Sequence, residues 1–220
     1  MNAQHVLTSL GFVKEGIFET VVSTYRPDGR PNAAPMGVML EDDECLSIRP
    51  FKSTLTYRCL MDKMAAALNI TSDPLVYYRS VFKDANPGGE LPEEWFEKAE
   101  VVDAPRLRAA EASVEVDVVR CEDVGGVRAK ILCRVRRIYL GGGCHVRAYS
   151  RAVHAAMESI IHATRIKFLL SKEERDKADR LVELVYHYDS VVRRVAPHSV
   201  YSDIMDGLVS RIEAWRRGFV

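Results

Sequence analysis

Residues 34–57 decide the fold. They read Ala34-Pro35-Met36-Gly37-Val38-Met39, an acidic turn over Glu41–Glu44, then Ser47-Ile48-Arg49-Pro50-Phe51-Lys52-Ser53-Thr54-Leu55-Thr56-Tyr57. Two apolar runs with strand character flank the turn, and Pro50 stops the second. That second run empties into hydroxyls, cations and aromatics. Hydroxyl and cationic side chains gathered at a strand end suit a phosphate. Neighbouring apolar strands and aromatics suit a flat ring. The stretch therefore has the two parts of a site for a phosphorylated ring compound. Ser53 also reads as the N-cap of a helix over 53–61, whose free N–H groups would add to anion binding. By itself the run leaves two readings open, a phosphate grip or a helix cap beside ordinary surface cations.

Outward from this stretch the first part of the chain reads as short strands joined by tight turns. Residues 17–25 are rich in β-branched and aromatic residues and end at Pro27-Asp28-Gly29, a turn sequence. Further strands are predicted over 32–40, 45–49 and 65–70, and Asp73-Pro74 opens a short helix with Asp as cap. Residues 84–106, with Asn86-Pro87-Gly88-Gly89 and Pro92, form a long irregular excursion, a kind of segment that often carries function. Its Trp95-Phe96 pair reads as local packing or as a lid. Residues 112–119 and 127–135 alternate cleanly around Gly125-Gly126. A two-residue hairpin loop there pairs Asp117 with Arg134 and Glu115 with Arg136, and lines Val114, Val116 and Val118 on one face. The basic row that results is the polar face of a hairpin.

Gly141-Gly142-Gly143 breaks the pattern, and helices follow. Val153, Ala156, Met157, Ile160, Ile161, Thr164 and Phe168 give the first an apolar stripe. A capping-box sequence at Ser171-Lys172-Glu173-Glu174 opens the second, whose stripe is Ala178, Leu181, Val182, Val185, Tyr188 and Val192. The third carries Val200, Ile204, Leu208, Ile212 and Trp215. The chain thus divides into a β-rich domain over 1–145 and a three-helix segment over 146–220.

Composition bounds the function. The 220 residues are 47% hydrophobic, enough to bury a core, and 31 basic residues balance 31 acidic ones. Zero net charge argues against a general nucleic-acid or membrane-surface binder and leaves little repulsion against self-association. Five cysteines, with no C-x-x-C, fit a reducing, cytoplasmic setting rather than a disulfide framework or structural zinc. The first residues lack a signal-peptide pattern, and no run offers the ~20 apolar residues of a membrane span.

A second polar constellation lies in the first C-terminal helix, where His154, Glu158 and His162 recur every fourth residue and Arg165 continues the stripe. Successive members rise ~6 Å, so three ligands would not converge on one metal ion. A polar helix face, or one turned to a cofactor or a second subunit, remains. No Walker or Rossmann glycine loop and no nucleophile elbow is present.

The order of strand, Pro-Asp-Gly turn, strand with Ala-Pro-Met-Gly, turn, strand, Ser/Thr-rich helix start and Leu68-Asn69-Ile70 resembles the FMN-binding split-barrel superfamily. That group includes flavin reductase-like and pyridoxamine phosphate oxidase-like proteins. Within it the chain looks most like an uncharacterised, mainly archaeal family with a helical C-terminal region. The resemblance is clearest over residues 18–70 and looser through the 112–140 hairpin to the helix at 150–167. It implies an α+β fold, a flavin reductase-like split β-barrel whose helical segment packs on, or is swapped between, barrels of a homodimer.

It further implies FMN at the subunit interface, its ring against the backbone of Pro35, Met36 and Gly37. Phosphate contacts would come from Arg49, Ser53, Thr54 and Thr56. Asn69 either donates to a ring carbonyl or is satisfied by backbone. His154 and Arg165 are carried as cofactor-side residues. The Arg and Lys pattern of pyridoxamine phosphate oxidases is not seen. The implied activity is that of an FMN-dependent oxidoreductase or flavin reductase drawing electrons from a nicotinamide. A flavin carrier or sensor, or a dimeric interaction module without cofactor, are the alternatives. Tyr57 and His154 are proton-donor candidates by residue type only.

Overall fold

A computed structural model describes residues 3–141 and 146–218. The predicted break at Gly142-Gly143 and the fifth cysteine, Cys144, lie outside the described residues. The chain forms two units. Phe18–Tyr149, with the N-terminal residues up to Lys14, makes the first; Ser150–Val220, with Glu15–Ile17, makes the second.

The first unit is a closed six-stranded barrel. In chain order the strands are β1 (Ile17–Tyr25), β2 (Pro31–Leu40), β3 (Cys45–Ile48), β4 (Ala65–Ile70), β7 (Ala112–Val124) and β8 (Arg128–Leu140), closed in the order β1-β2-β3-β8-β7-β4. Alternation fills the interior. Val22, Val38, Leu46, Ile48, Leu68, Val114, Val116 and Ile131 are all fully buried there. A short N-terminal helix, α1 (Ala3–Ser9), and its exit add Leu7, Leu10 and Phe12 to this core. The sequence pattern shows no signal for this helix. Burying one such side chain fully contributes about 1.5–3 kcal/mol.

The barrel is covered outside as well as filled. Helix α3 (Pro74–Val81) starts at an Asp73 cap with Pro74 in its first position. The excursion that follows contains three short 3-10 turns and a two-stranded sheet, β5 (Phe96–Lys98) with β6 (Pro105–Leu107). Leu91, Phe96, Leu107 and Ala110 pack with Val21, Ala33 and Val76. Every residue of β4 is consequently buried. The carboxylate of Glu115, itself fully buried, ties the cover down by accepting the backbone N–H groups of Glu100 and Val101, both at 2.9 Å.

The β7–β8 hairpin corrects the two-residue loop. Val124 pairs with Arg128, leaving Gly125, Gly126 and Val127 as a three-residue loop, and both glycines have positive φ. A bulge before Arg120 restores the expected Asp117–Arg134 pair. A second one then sets Glu115 opposite Arg137 instead of Arg136. The bulges absorb the odd residue, so the valines still point inward. Gly141 is required by contact: a Cβ there would lie 2.9 Å from the Glu111 carbonyl oxygen.

The second unit holds α4 (Arg151–Ser171), α5 (Arg175–Val195) and α6 (Val200–Arg216). The expected start of α5 at a Ser171 capping box is wrong. Ser171 is the last residue of α4, its hydroxyl bonds the Phe168 carbonyl, and Glu173 takes a positive φ. The capping box of this unit is Ser199 with Ser202, at the start of α6. The α4 stripe is also displaced. Ala152, Ala155, Ala156, Ser159, Ala163 and Ile166 are buried, while Met157, Ile160, Ile161 and Phe168 are exposed. Small side chains let helices approach closely, and the inner face of α4 is built from them. Among the described residues no helix is long and apolar enough to cross a membrane.

Candidate functional site

Helix α2 (Leu55–Lys63) follows β3 through the turn 49–54. Its N-cap is Thr54, not Ser53. The Thr54 hydroxyl accepts the Tyr57 N–H at 3.3 Å and donates to the Phe51 carbonyl at 2.7 Å. The helix therefore begins two residues later than the sequence pattern predicts, and Ser53 stands exposed in the turn just before it. As at any helix start, the first N–H groups have no partner within the helix and form a favourable place for an anion.

The turn is held by the end of the β7–β8 hairpin. Lys52 N–H donates to Val127 and Ala129 N–H donates to the Pro50 carbonyl, at 3.0 and 3.1 Å. The Arg128 guanidinium bonds the Arg49 carbonyl at 3.1 Å and lies 3.8 Å from the centre of the Phe51 ring. The ammonium of Lys52 is paired with Asp123. Of the two cations in the turn, Lys52 is thus engaged, while the Arg49 side chain is exposed.

Strand β2 supplies the second half. It pairs with β3 in the register Val38–Ile48, and Asn32 at its start donates to the Thr56 hydroxyl at 3.0 Å. These two links set β2 beside both β3 and the first turn of α2. Met36 packs against the barrel core, so alternation turns Pro35 and Gly37 to the outer face. A ring laid there would meet a proline, a glycine and strand backbone, with little side chain in the way. The structure thus puts Pro35, Met36 and Gly37 on the strand that pairs with β3 ahead of Arg49, and ties the start of that strand to the helix turn of Ser53, Thr54 and Thr56. Thr56 is buried and accepts from Asn32, so its hydroxyl is part of the wall.

Asn69 has the second of its two predicted roles. Its Nδ2 donates to the Val21 carbonyl and Ser23 hydroxyl, both at 2.8 Å, and its Oδ1 accepts from Leu107 N–H and the Ser113 hydroxyl, both at 2.9 Å. Fully buried, it fastens β6 to the barrel, and the amide has no group left for a ring carbonyl. His154 and Arg165 both lie exposed on α4, in the helical unit, and His154 Nδ1 is 3.2 Å from the Ser150 carbonyl oxygen. Trp95 is half-buried with the Arg79 guanidinium 5.7 Å from its ring centre, and Phe96 is in the outer core, which is a packing arrangement.

Two tyrosines hold their protons tightly. Burial, and then the neighbouring Cys121, push the Tyr57 phenol up from its ordinary value. Burial, and then Glu19, push Tyr77 up to about 12. Sequence reasoning missed Lys83 and Arg26. The Lys83 ammonium donates to the Asn32 Oδ1 at 2.5 Å, directly behind Thr56. Nothing local in the sequence marks it, because the link spans from the end of α3 to the start of β2.

A closed six-stranded barrel with an outer cover and a capped helix after its third strand is the flavin reductase-like split-barrel fold. The family described as "protein of unknown function (DUF447), N-terminal domain" matches residues 18–138, and the chain belongs to that family. Among solved structures, an FMN-bound DUF447 protein from Methanosarcina mazei is similar over 94% of this chain and 99% of its own, with a TM-score of 0.55 and 24% identity. Nitrilotriacetate monooxygenase component B from Bacillus cereus is similar over 67% of this chain and 82% of its own, with a TM-score of 0.50 and 17% identity. At these identities the likeness is one of fold.

Proposed function

We propose that this protein binds FMN and acts as a flavin-dependent oxidoreductase or flavin reductase on a small substrate. One observation carries the reading. The Thr54-capped start of α2, preceded by Arg49 and Ser53, is tied through Thr56 to Asn32 at the start of β2, the strand that carries Pro35–Gly37. The first offers donors and charge to a phosphate; the second offers a flat, backbone-lined seat to a ring. Membership in a family with an FMN-bound member of the same fold supports it.

In this reading Arg49, Ser53 and the N–H groups of α2 grip the phosphate, and Thr54 and Thr56 shape the turn. Pro35, Met36 and Gly37 support the ring through their backbone. FMN supplies hydride and electron transfer when bound; the protein holds and orients it and excludes water. A homodimer completes the pocket, a reduced nicotinamide is the electron donor, and the cytoplasm is the setting.

The test is the visible absorption spectrum of the purified protein before and after addition of FMN. Flavin bands that co-elute with the protein, followed by steady NAD(P)H consumption, are expected. A colourless protein that leaves the FMN spectrum and fluorescence unchanged overturns the reading. Bound flavin without turnover leaves a carrier rather than an enzyme. In Ser53→Ala and Arg49→Ala, flavin affinity falls while the fold is retained; unchanged affinity in both removes the phosphate assignment.

A further inference from the structure

Lys83 is a cation without an ion-pair partner among the described residues. It follows α3 in a turn fixed by Asn86, whose Nδ2 donates to the carbonyls of Arg79 and Lys83 at 3.1 and 3.0 Å. Asn86 is itself buried, so this turn is well held. The half-buried Lys83 side chain reaches Asn32, a fully buried neutral amide, and through it Thr56 in the first turn of α2. A carbonyl oxygen does not neutralise an ammonium. Burial, and then the neighbouring Arg26, hold Lys83 below the ordinary lysine value, while Cys59 and Glu90 act in the other direction.

The surroundings add positive charge rather than remove it. Arg26 and Arg30 both bond the Glu90 carboxylate, at 3.2 and 2.7 Å, and Asp28 pairs with Arg30 at 2.8 Å, which leaves three cations, with Lys83, to two carboxylates. The Arg26 Nε is buried and has no hydrogen-bond partner. Arg26, Lys83 and Arg58 all act electrostatically on the buried Cys59, with Asp62 opposing them. Partly buried positive charge without a matching carboxylate is costly, and a bound anion relieves that cost. The same place has the donor-rich start of α2 beside it.

We propose that Lys83 is a phosphate-binding residue, its amine held by Asn32 next to the first turn of α2 and beside Arg26 to receive a phosphate monoester. Resting on the FMN reading, this makes Lys83 the main discriminator between FMN and riboflavin, which share the ring and differ by the phosphate. The residue comes from the far end of α3, so α3 and the 82–86 turn become part of the cofactor site.

The experiment titrates FMN and riboflavin separately into the flavin-stripped full chain and follows flavin fluorescence for wild type, Lys83→Met and Lys83→Arg. The same three proteins are melted in chloride and in inorganic phosphate at matched ionic strength. Wild type is expected to prefer FMN. Lys83→Met should weaken FMN binding by about tenfold, the scale of one lost charge-assisted hydrogen bond, with riboflavin affinity unchanged. Lys83→Arg should recover part of the loss. An unchanged FMN-to-riboflavin ratio in Lys83→Met overturns the proposal, and so does an equal loss for both flavins. If wild type binds neither flavin, the FMN reading falls and the melts decide. Stabilisation by phosphate in wild type but not in Lys83→Met upholds the anion site; no difference between the two overturns it.

Discussion

The barrel and helix α4 use large apolar residues in opposite ways. On β4 and the first half of β7 the valines, leucines and isoleucines point inward, and Leu68, Val114 and Val116 are wholly buried. On α4 most of the large residues lie outside, with Ile166 the buried exception. Met157, Ile160, Ile161 and Phe168 remain 58%, 43%, 42% and 61% exposed, while alanines and Ser159, with Ile166, form the inner face. Both faces of α4 carry a helical period, so periodicity alone cannot choose between them. In a strand the choice is forced, because one residue of slippage turns the whole hydrophobic set outward.

The contrast is sharpened most by truncation. Leu68→Ala is expected to cost about 2–5 kcal/mol in urea unfolding, whereas Ile160→Ala should stay within about 0.5 kcal/mol. Equal losses would mean that the exposed face of α4 is covered in solution. Next in size is Asn69→Ala, which strands the Leu107 N–H and the Ser113 hydroxyl and should cost about 1–3 kcal/mol. Its affinities for FMN and for riboflavin should both match wild type; an equal loss for the two flavins, which share the ring, would return Asn69 to the cofactor.

Enlarging the inner face of α4 tests the other side of the comparison. Ala163→Leu adds apolar surface yet should lower stability by about 1–3 kcal/mol through overpacking. A raised melting temperature would show that the inner face is loosely packed.

The smallest effect concerns Glu41, at the end of β2, which accepts hydrogen bonds from Lys130 and Ser47 at 2.7 and 2.6 Å. Burial pulls its carboxyl up, but these two bonds, together with the charges of Lys130 and Arg49, outweigh it and leave the value below the ordinary one. A lowered folded value stabilises the fold above the ordinary carboxylate range, and the contribution disappears as pH falls through the folded value. Glu41→Gln should therefore cost about 0.5–1 kcal/mol at neutral pH and nothing in acid, measured by urea unfolding at both. An equal cost at both pH values would assign the loss to packing.

Legibility of the site followed the same division as legibility of the fold. The strand that carries Pro35, Met36 and Gly37 was readable from local pattern, whereas their place against a ring came only from the family resemblance. The start of α2 was recognisable within two residues, since Ser53 and Thr54 are both good caps and only the backbone path decides between them. Asn69 was readable as a buried strand amide, although its partners on β1, β6 and β7 were not. Lys83 was invisible because its meaning depends on Asn32, far away in sequence.

The sequence by itself determined the succession of the barrel strands along the chain, the hairpin faces, the strand-to-helix turn at residues 49–54 and the three C-terminal helices. These depend on local pattern: period, turn residues and caps within a few positions. The tertiary structure decided which face of α4 is inside, how the two bulges absorb the odd residue of the β7–β8 hairpin, and which polar groups are occupied. Those outcomes depend on which distant backbone arrives next to a residue. A buried amide or amine takes its role from that neighbour, because in the interior an unmatched donor or charge costs more than local preference can supply.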